Sequence, residues 1–297
     1  MFLRLDLVVL TIALTPMGLT ARIRPVAAVS LPDIVMILLS SFIFGLIFGS
    51  FINVVTYRLK NGRNVIFGRS FCPECKTQLR WYDLIPLLSF IWLRRYCRYC
   101  HKKISWQYPI VELISGLLWV LIFYKFGISL INIYYLFIFS LFLVIVVYDF
   151  KWRIIPDKIV YPAVIIVVIY NLFNAFKLGN FKIFTEPLFI ALGAFLFFFL
   201  LFYFSKGKAM GLGDAKLAFL IGLFLNPLLA AVAFTLSFII GAVFGIMLIG
   251  ISKIPHPLVY KGWGIKSQIA FGPFLVLGAT IAFFLSDFII KFFSAIG

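Results

Sequence analysis

Gly211-Leu212-Gly213-Asp214-Ala215-Lys216 is a polar knot between an apolar run that ends near Phe204 and another that resumes at Leu217. Runs of this kind fill the 297-residue chain, which is 64% hydrophobic, 19% aromatic and only 12% charged. Its mean hydropathy is +1.11. No soluble core buries that much apolar surface, so the composition specifies an integral membrane protein. The runs are continuous and do not alternate with polar positions, which makes the spans helices and not barrel strands. At the edge of a hydrocarbon layer, the Asp214 carboxylate costs several kcal/mol unless it is paired, hydrated or neutralised, and such a residue is by default a functional-site candidate. Gly211 and Gly213 beside it allow unusual backbone conformations and the close approach of a second segment.

Outward from this knot, spans are predicted at about 34–57, 109–125, 129–149, 157–174, 186–204, 212–226, 228–251 and 269–293. The expected architecture is an all-α integral membrane protein with about eight transmembrane helices. The 212–226 segment is short for a core of ~30 Å at 1.5 Å per residue, which places its start in a thinned or water-accessible face. Gly45-Leu-Ile-Phe-Gly49 in the first span is a helix-packing face. Asn53 in the same span needs polar partners, from a neighbouring helix or a polar site. Residues 1–30 form an N-terminal extension with an apolar run from Leu7 to Thr20, followed by Arg22 and Arg24. A signal-like segment, a marginal helix and an over-extended start are all open there.

Residues 59–108 are different material. Between Arg58 and Tyr108 lie eleven of the chain's 27 basic residues, with only Glu74 and Asp83 against them. Basic residues beside spans record orientation, which argues against a nucleic-acid partner despite the net charge of +17. The segment reads as a small cytoplasmic loop domain. It also holds all four cysteines, as Cys72-Pro-Glu-Cys75 and Cys97-Arg-Tyr-Cys100. Two such knuckles supply four thiolates to a tetrahedral zinc, a structural site with no open position for a catalytic water. The competing reading, two disulfides, needs an oxidising compartment that the loop's charge argues against. With this loop inside, the turns at 150–158, 205–216 and 252–268 are inside too. Twenty of the 27 basic residues then lie inside, four outside and three in the N-terminal extension. The asymmetry supports that threading.

A lone carboxylate does little chemistry, and only ten acidic residues are available to join Asp214. Position along the chain removes all but Glu112, Asp149 and Asp157. Asp149 ends the third span at the same face as Asp214 and is the best partner. Asp157, after Ile155-Pro156, is expected to be the N-cap of the next helix. Glu112 is open between a buried neutral acid, a helix tie and a ligand for the loop domain. Two aspartates at one depth suggest an acid–base pair sharing one proton, as in aspartic proteases. Lys151, Arg153 and Lys216 are the cations nearest in sequence. From pattern alone, a secondary transporter or ion channel using the same two aspartates is an equal reading, and a zinc-loop scaffold without chemistry is a third.

The ordered set Gly49-Ser-Phe-Ile-Asn53-Val-Val-Thr-Tyr-Arg58, the paired Cys-x-x-Cys loop, Tyr108-Pro-Ile-Val-Glu112, Asp149 with Ile155-Pro156-Asp157, Gly211-Leu-Gly-Asp214-Ala-Lys216 and Phe271-Gly-Pro-Phe274 resembles the type IV prepilin peptidases, membrane aspartic proteases with a Gly-x-Gly-Asp motif. Residues 1–30 lie outside the resemblance. It implies a multi-pass enzyme of the bacterial inner membrane that cleaves the basic leader of type IV prepilins or pseudopilins at the cytoplasmic face. Methylation of the new N-terminus from S-adenosylmethionine is implied as a second activity. Catalytic roles carry over to Asp149 and Asp214, active-site-loop positions to Gly211, Gly213 and Lys216, and metal ligation to Cys72, Cys75, Cys97 and Cys100. The domains expected are 1–30, the first helix at 31–58, the loop at 59–108 and a membrane peptidase domain at 109–297. No residue is assigned to methyl transfer.

Overall fold

The computed structural model describes residues 31–65, 67–208, 210–252 and 270–296. The N-terminal extension and most of the 252–268 turn therefore lie outside the described residues. The chain divides into two compact units, 1–147 and 148–297. The regular elements among the described residues are all helices, with no strands beyond two isolated bridges.

In the first unit, α1 (Leu31–Lys60) packs on α3 (Gln107–Phe126) through small residues. A Cβ at Gly45 would lie 2.7 Å from Gly116 Cα, and one at Gly49 would lie 2.6 Å from Glu112 Cα. The two backbones therefore meet as the glycine spacing predicts. Asn53 finds its partners on the neighbouring helix: it donates to the Tyr108 carbonyl at 3.3 Å and accepts from Gln107 Nε2 at 3.2 Å. Arg58, buried at the end of α1, donates to the carbonyls of Val65 (3.0 Å), Phe67 (3.1 Å) and Gly68 (2.6 Å). One guanidinium thus holds the first turn of the loop together. The loop continues through a 3-10 helix, Trp81–Leu84, and a one-turn helix, α2 (Leu88–Trp92). After α3 comes α4 (Ile131–Trp152), whose last turn belongs to the second unit.

The second unit continues with α5 (Asp157–Leu178), α6 (Lys182–Ser205), α7 (Leu212–Phe224), α8 (Pro227–Ser252), α9 (Gly272–Phe284) and α10 (Ser286–Ile296). α7 is its centre, in contact with α5, α6 and α9. Ala215, Leu217, Ala218, Leu220 and Ile221 are fully buried. A 13-residue helix rises only about 20 Å, too little to cross the bilayer alone, but protein surrounds it in place of lipid. Its buried C-terminal carbonyls need partners, and Asn171 of α5 donates to the Leu223 carbonyl at 2.9 Å. Six described helices are long and apolar enough to span a membrane: α1, α3, α4, α5, α6 and α8. α9 and α10 qualify only as a pair bent by 71°. These six, the bent pair and α7 are the eight apolar segments counted in the sequence.

Candidate functional site

Asp149 and Asp214 come together in the second unit, near enough for their charges to act on one another. Both are buried, 4% and 7% exposed. Each sits at a helix N-terminus, where orphan N–H groups and the helix dipole favour a carboxylate. Asp214 lies in the first turn of its own α7, and its Oδ2 accepts the Gly211 N–H at 3.0 Å. Asp149, near the end of α4, receives the N-terminus of a different helix: its Oδ2 accepts the Gly272 N–H of α9 at 3.1 Å. Pro273 follows Gly272, a helix-start signature, and the Gly272 N–H in this first turn has no intrahelical acceptor and is open to another. Among the described residues each carboxyl makes this single hydrogen bond, leaving both Oδ1 atoms to other partners.

The turn after α4 brings the two sides together. Arg153 adopts a left-handed φ of +56°, and its N–H closes on the Asp149 carbonyl at 2.7 Å. The chain doubles back and buries Ile155 between two glycines. A Cβ at Gly213 would lie 2.9 Å from Ile155 Cβ, and one at Gly272 would lie 3.2 Å from Ile155 Cδ1. One aliphatic side chain therefore packs against the glycine that precedes Asp214 and the glycine that holds Asp149. Gly272 and Ile155 lie within sequence motifs that by themselves show no role for either. The Gly-Pro start of an apolar run was the available signal, since it marks a helix N-terminus.

Asp157 corrects an expectation. Pro156 holds the N-cap position, and Asp157 is the first residue of α5 with no side-chain cap bond. Its Oδ1 instead accepts from Lys216 Nζ at 2.7 Å. Lys216 also lies over the Tyr161 ring, 5.4 Å from its centroid. The lysine of the knot thus ties α7 to α5. Lys151 lies 5.0 Å over the Trp152 ring.

The first unit holds the cysteines. Each knuckle closes the same way: Cys72 N–H bonds the Thr77 carbonyl at 3.0 Å and Cys97 N–H the Lys102 carbonyl at 2.9 Å. Lys76 and His101, each the residue after the second cysteine, have left-handed φ values of +60° and +54°. All four thiols are free, and their sulfurs lie within 4.8 Å of one another. Cys72 and Cys100 are 4.0 Å apart, near the ~3.8 Å edge of a tetrahedron of thiolates around a metal and twice a disulfide bond length. The cluster is compatible with a metal ion. Burial pushes the Cys72 thiol up to about 11, whereas hydrogen bonds from the Thr77 side chain and backbone hold Cys75 at about 6. Both loop carboxylates are already engaged: Glu74 with Lys102 at 2.6 Å, and Asp83 with Arg98 at 2.8 Å and Tyr99 at 3.2 Å. Glu112, whose role the sequence alone does not decide, accepts the Leu87 N–H at 2.9 Å and ties the loop to α3.

Two family models match the chain: the bacterial peptidase A24 N-terminal domain over residues 43–126, and the type IV leader peptidase family over residues 136–246. The prepilin leader peptidase/N-methyltransferase of Bacillus subtilis is 31% identical over 252 residues, covering 85% of this chain and 96% of that protein. The chain belongs to the type IV leader peptidase family. Two further relatives in the family carry the same name. The Klebsiella pneumoniae protein is 34% identical over 62% of this chain and 83% of its own length. The Myxococcus xanthus protein is 35% identical over 70% of this chain and 62% of its own length. No solved structure matches.

Proposed function

We propose that this chain removes the basic leader from type IV prepilins or pseudopilins at the cytoplasmic face of the bacterial inner membrane, and then N-methylates the new N-terminus. The observation that carries the reading is the pair of buried aspartates, each with one oxygen held by a helix N-terminus, in a chain whose relatives are named for this activity. One carboxylate of the pair is ionised and the other protonated. The ionised group takes a proton from a water as its oxygen attacks the scissile carbonyl carbon, and the protonated group gives its proton to the carbonyl oxygen. The tetrahedral diol then breaks its C–N bond. A proton passes to the leaving nitrogen, releasing the leader's new carboxyl and the mature amine. The relatives' name favours this chemistry over the ion-coupled transporter that the same two residues would otherwise suit.

In the loop, the four thiolates fit a structural zinc, which holds two knuckles with little core of their own. S-adenosylmethionine is the proposed methyl donor, and no described residue is assigned to it. The test is a mass measurement on a purified prepilin incubated with the reconstituted protein and S-adenosylmethionine. The expected product is the mature chain plus about 14 Da, one methyl on a new N-terminal amine. Intact prepilin after exhaustive incubation would contradict the reading.

A further inference from the structure

Helix α2 presents its apolar face outward. Leu88, Ile91 and Trp92, spaced to share one face, are 59%, 69% and 84% exposed, while Phe90 turns inward onto Trp106 at 5.1 Å between ring centroids. The level of this face is fixed. The Leu87 N–H that precedes α2 is bonded to Glu112, five residues into α3 and so about 7.5 Å along its axis from Gln107. Leu87 holds a strained left-handed φ of +58° in making that bond. At the same level, Ile110, Leu113 and Ile114 of α3 are themselves exposed, as lipid-facing residues of a spanning helix are. A 20-residue helix matches the ~30 Å acyl core, so its end lies at the headgroup–acyl boundary and α2 begins within about 7.5 Å of that boundary on the acyl side.

Charge points the same way. Arg94 follows Trp92 and is exposed. The loop's only two carboxylates are taken up by Lys102 and Arg98, so the loop stays strongly net positive even with four thiolates around a divalent ion. Tryptophan with aliphatic neighbours and adjacent arginine is the composition of an element seated in an anionic bilayer surface.

We propose that the Leu88–Ile91–Trp92 face of α2 inserts into the headgroup–acyl boundary and seats the cysteine loop on the membrane, with Arg94 at the anionic headgroups. The inference rests on the membrane reading alone, and its failure leaves the peptidase assignment where it stands. The full chain is reconstituted in nanodiscs of phosphatidylcholine and phosphatidylglycerol, with acyl chains either ordinary or brominated near the glycerol. Emission of wild type minus Trp92→Phe isolates Trp92 from the other five tryptophans. A second protein, Ile91→Trp with Trp92→Phe, moves the reporter one residue along the same face. For both reporters, bromine is expected to quench emission by about half or more, with weak quenching by aqueous acrylamide, as for an interfacial belt residue. Emission indifferent to bromine overturns the proposal. If acrylamide quenches it, the face lies in water; if neither does, a second copy or another protein covers it.

Discussion

Gly272 has room for a hydrogen and little more, because a Cβ there would lie 2.6 Å from Asp149 Oδ2. Gly272→Ala is therefore expected to displace the Asp149 carboxyl and lower single-turnover cleavage by about 100-fold, the cost of misplacing a reacting group by an ångström. Gly213→Ala pushes on Ile155 in the same way, from 2.9 Å. Ile155→Val keeps the branched contact and should cost roughly 0.5–1.5 kcal/mol of stability with most activity retained. Lys216 is different: its partner Asp157 is half-exposed, so the pair contributes roughly 0–1 kcal/mol, and Lys216→Met should leave thermal stability and cleavage nearly unchanged. A large loss of cleavage in Lys216→Met would assign it to the reaction itself. Asp149 and Asp214 were legible in the sequence because carboxylates are rare in so apolar a chain, and elimination left few pairs. Gly272 and Ile155 were not, since a missing side chain and one more aliphatic among many carry no signal until the fold sets them beside a carboxylate.

At the scale of elements, α7 shows what hydropathy leaves out. Its 13 residues are short for a span, and hydropathy alone gives a thinned or water-accessible face as the reason. The structure supplies another: α5, α6 and α9 surround it, and Asn171 satisfies its last turn. Asn171→Leu leaves the Leu223 carbonyl buried without that donor and should cost about 1–3 kcal/mol in detergent unfolding. The knuckles were legible from Cys-x-x-Cys spacing alone, because two cysteines in one tight turn fix the geometry locally. The tie from Leu87 to Glu112 was not, since it joins residues 25 apart through a backbone N–H. If the four thiolates hold the proposed zinc, chelation raises hydrogen exchange across residues 70–104 and leaves the membrane helices protected. If methyl transfer uses the loop, Cys72→Ser with Cys75→Ser reduces methylation more than cleavage. Equal loss of both activities, with the helices still protected, would mean that the loop serves both steps.

For the whole molecule, the eight apolar segments and the concentration of basic residues in one loop followed from composition, because membrane insertion depends on summed hydropathy and charge more than on particular contacts. The bend between α9 and α10 did not, since its only mark is the polar pair Ser286-Asp287 at the start of α10, with no proline or glycine beside it. The proposed reaction is hydrolysis of the leader peptide bond by Asp149 and Asp214 together. Its most direct measurement is the cleavage rate of a purified prepilin by reconstituted wild type, Asp149→Asn and Asp214→Asn at equal helicity and metal content. Asparagine keeps the volume and accepts the same backbone N–H but cannot exchange the shared proton, so each variant should fall below about one thousandth of wild-type turnover. Near wild-type turnover in either variant would remove that residue from the catalytic pair and contradict the two-aspartate mechanism.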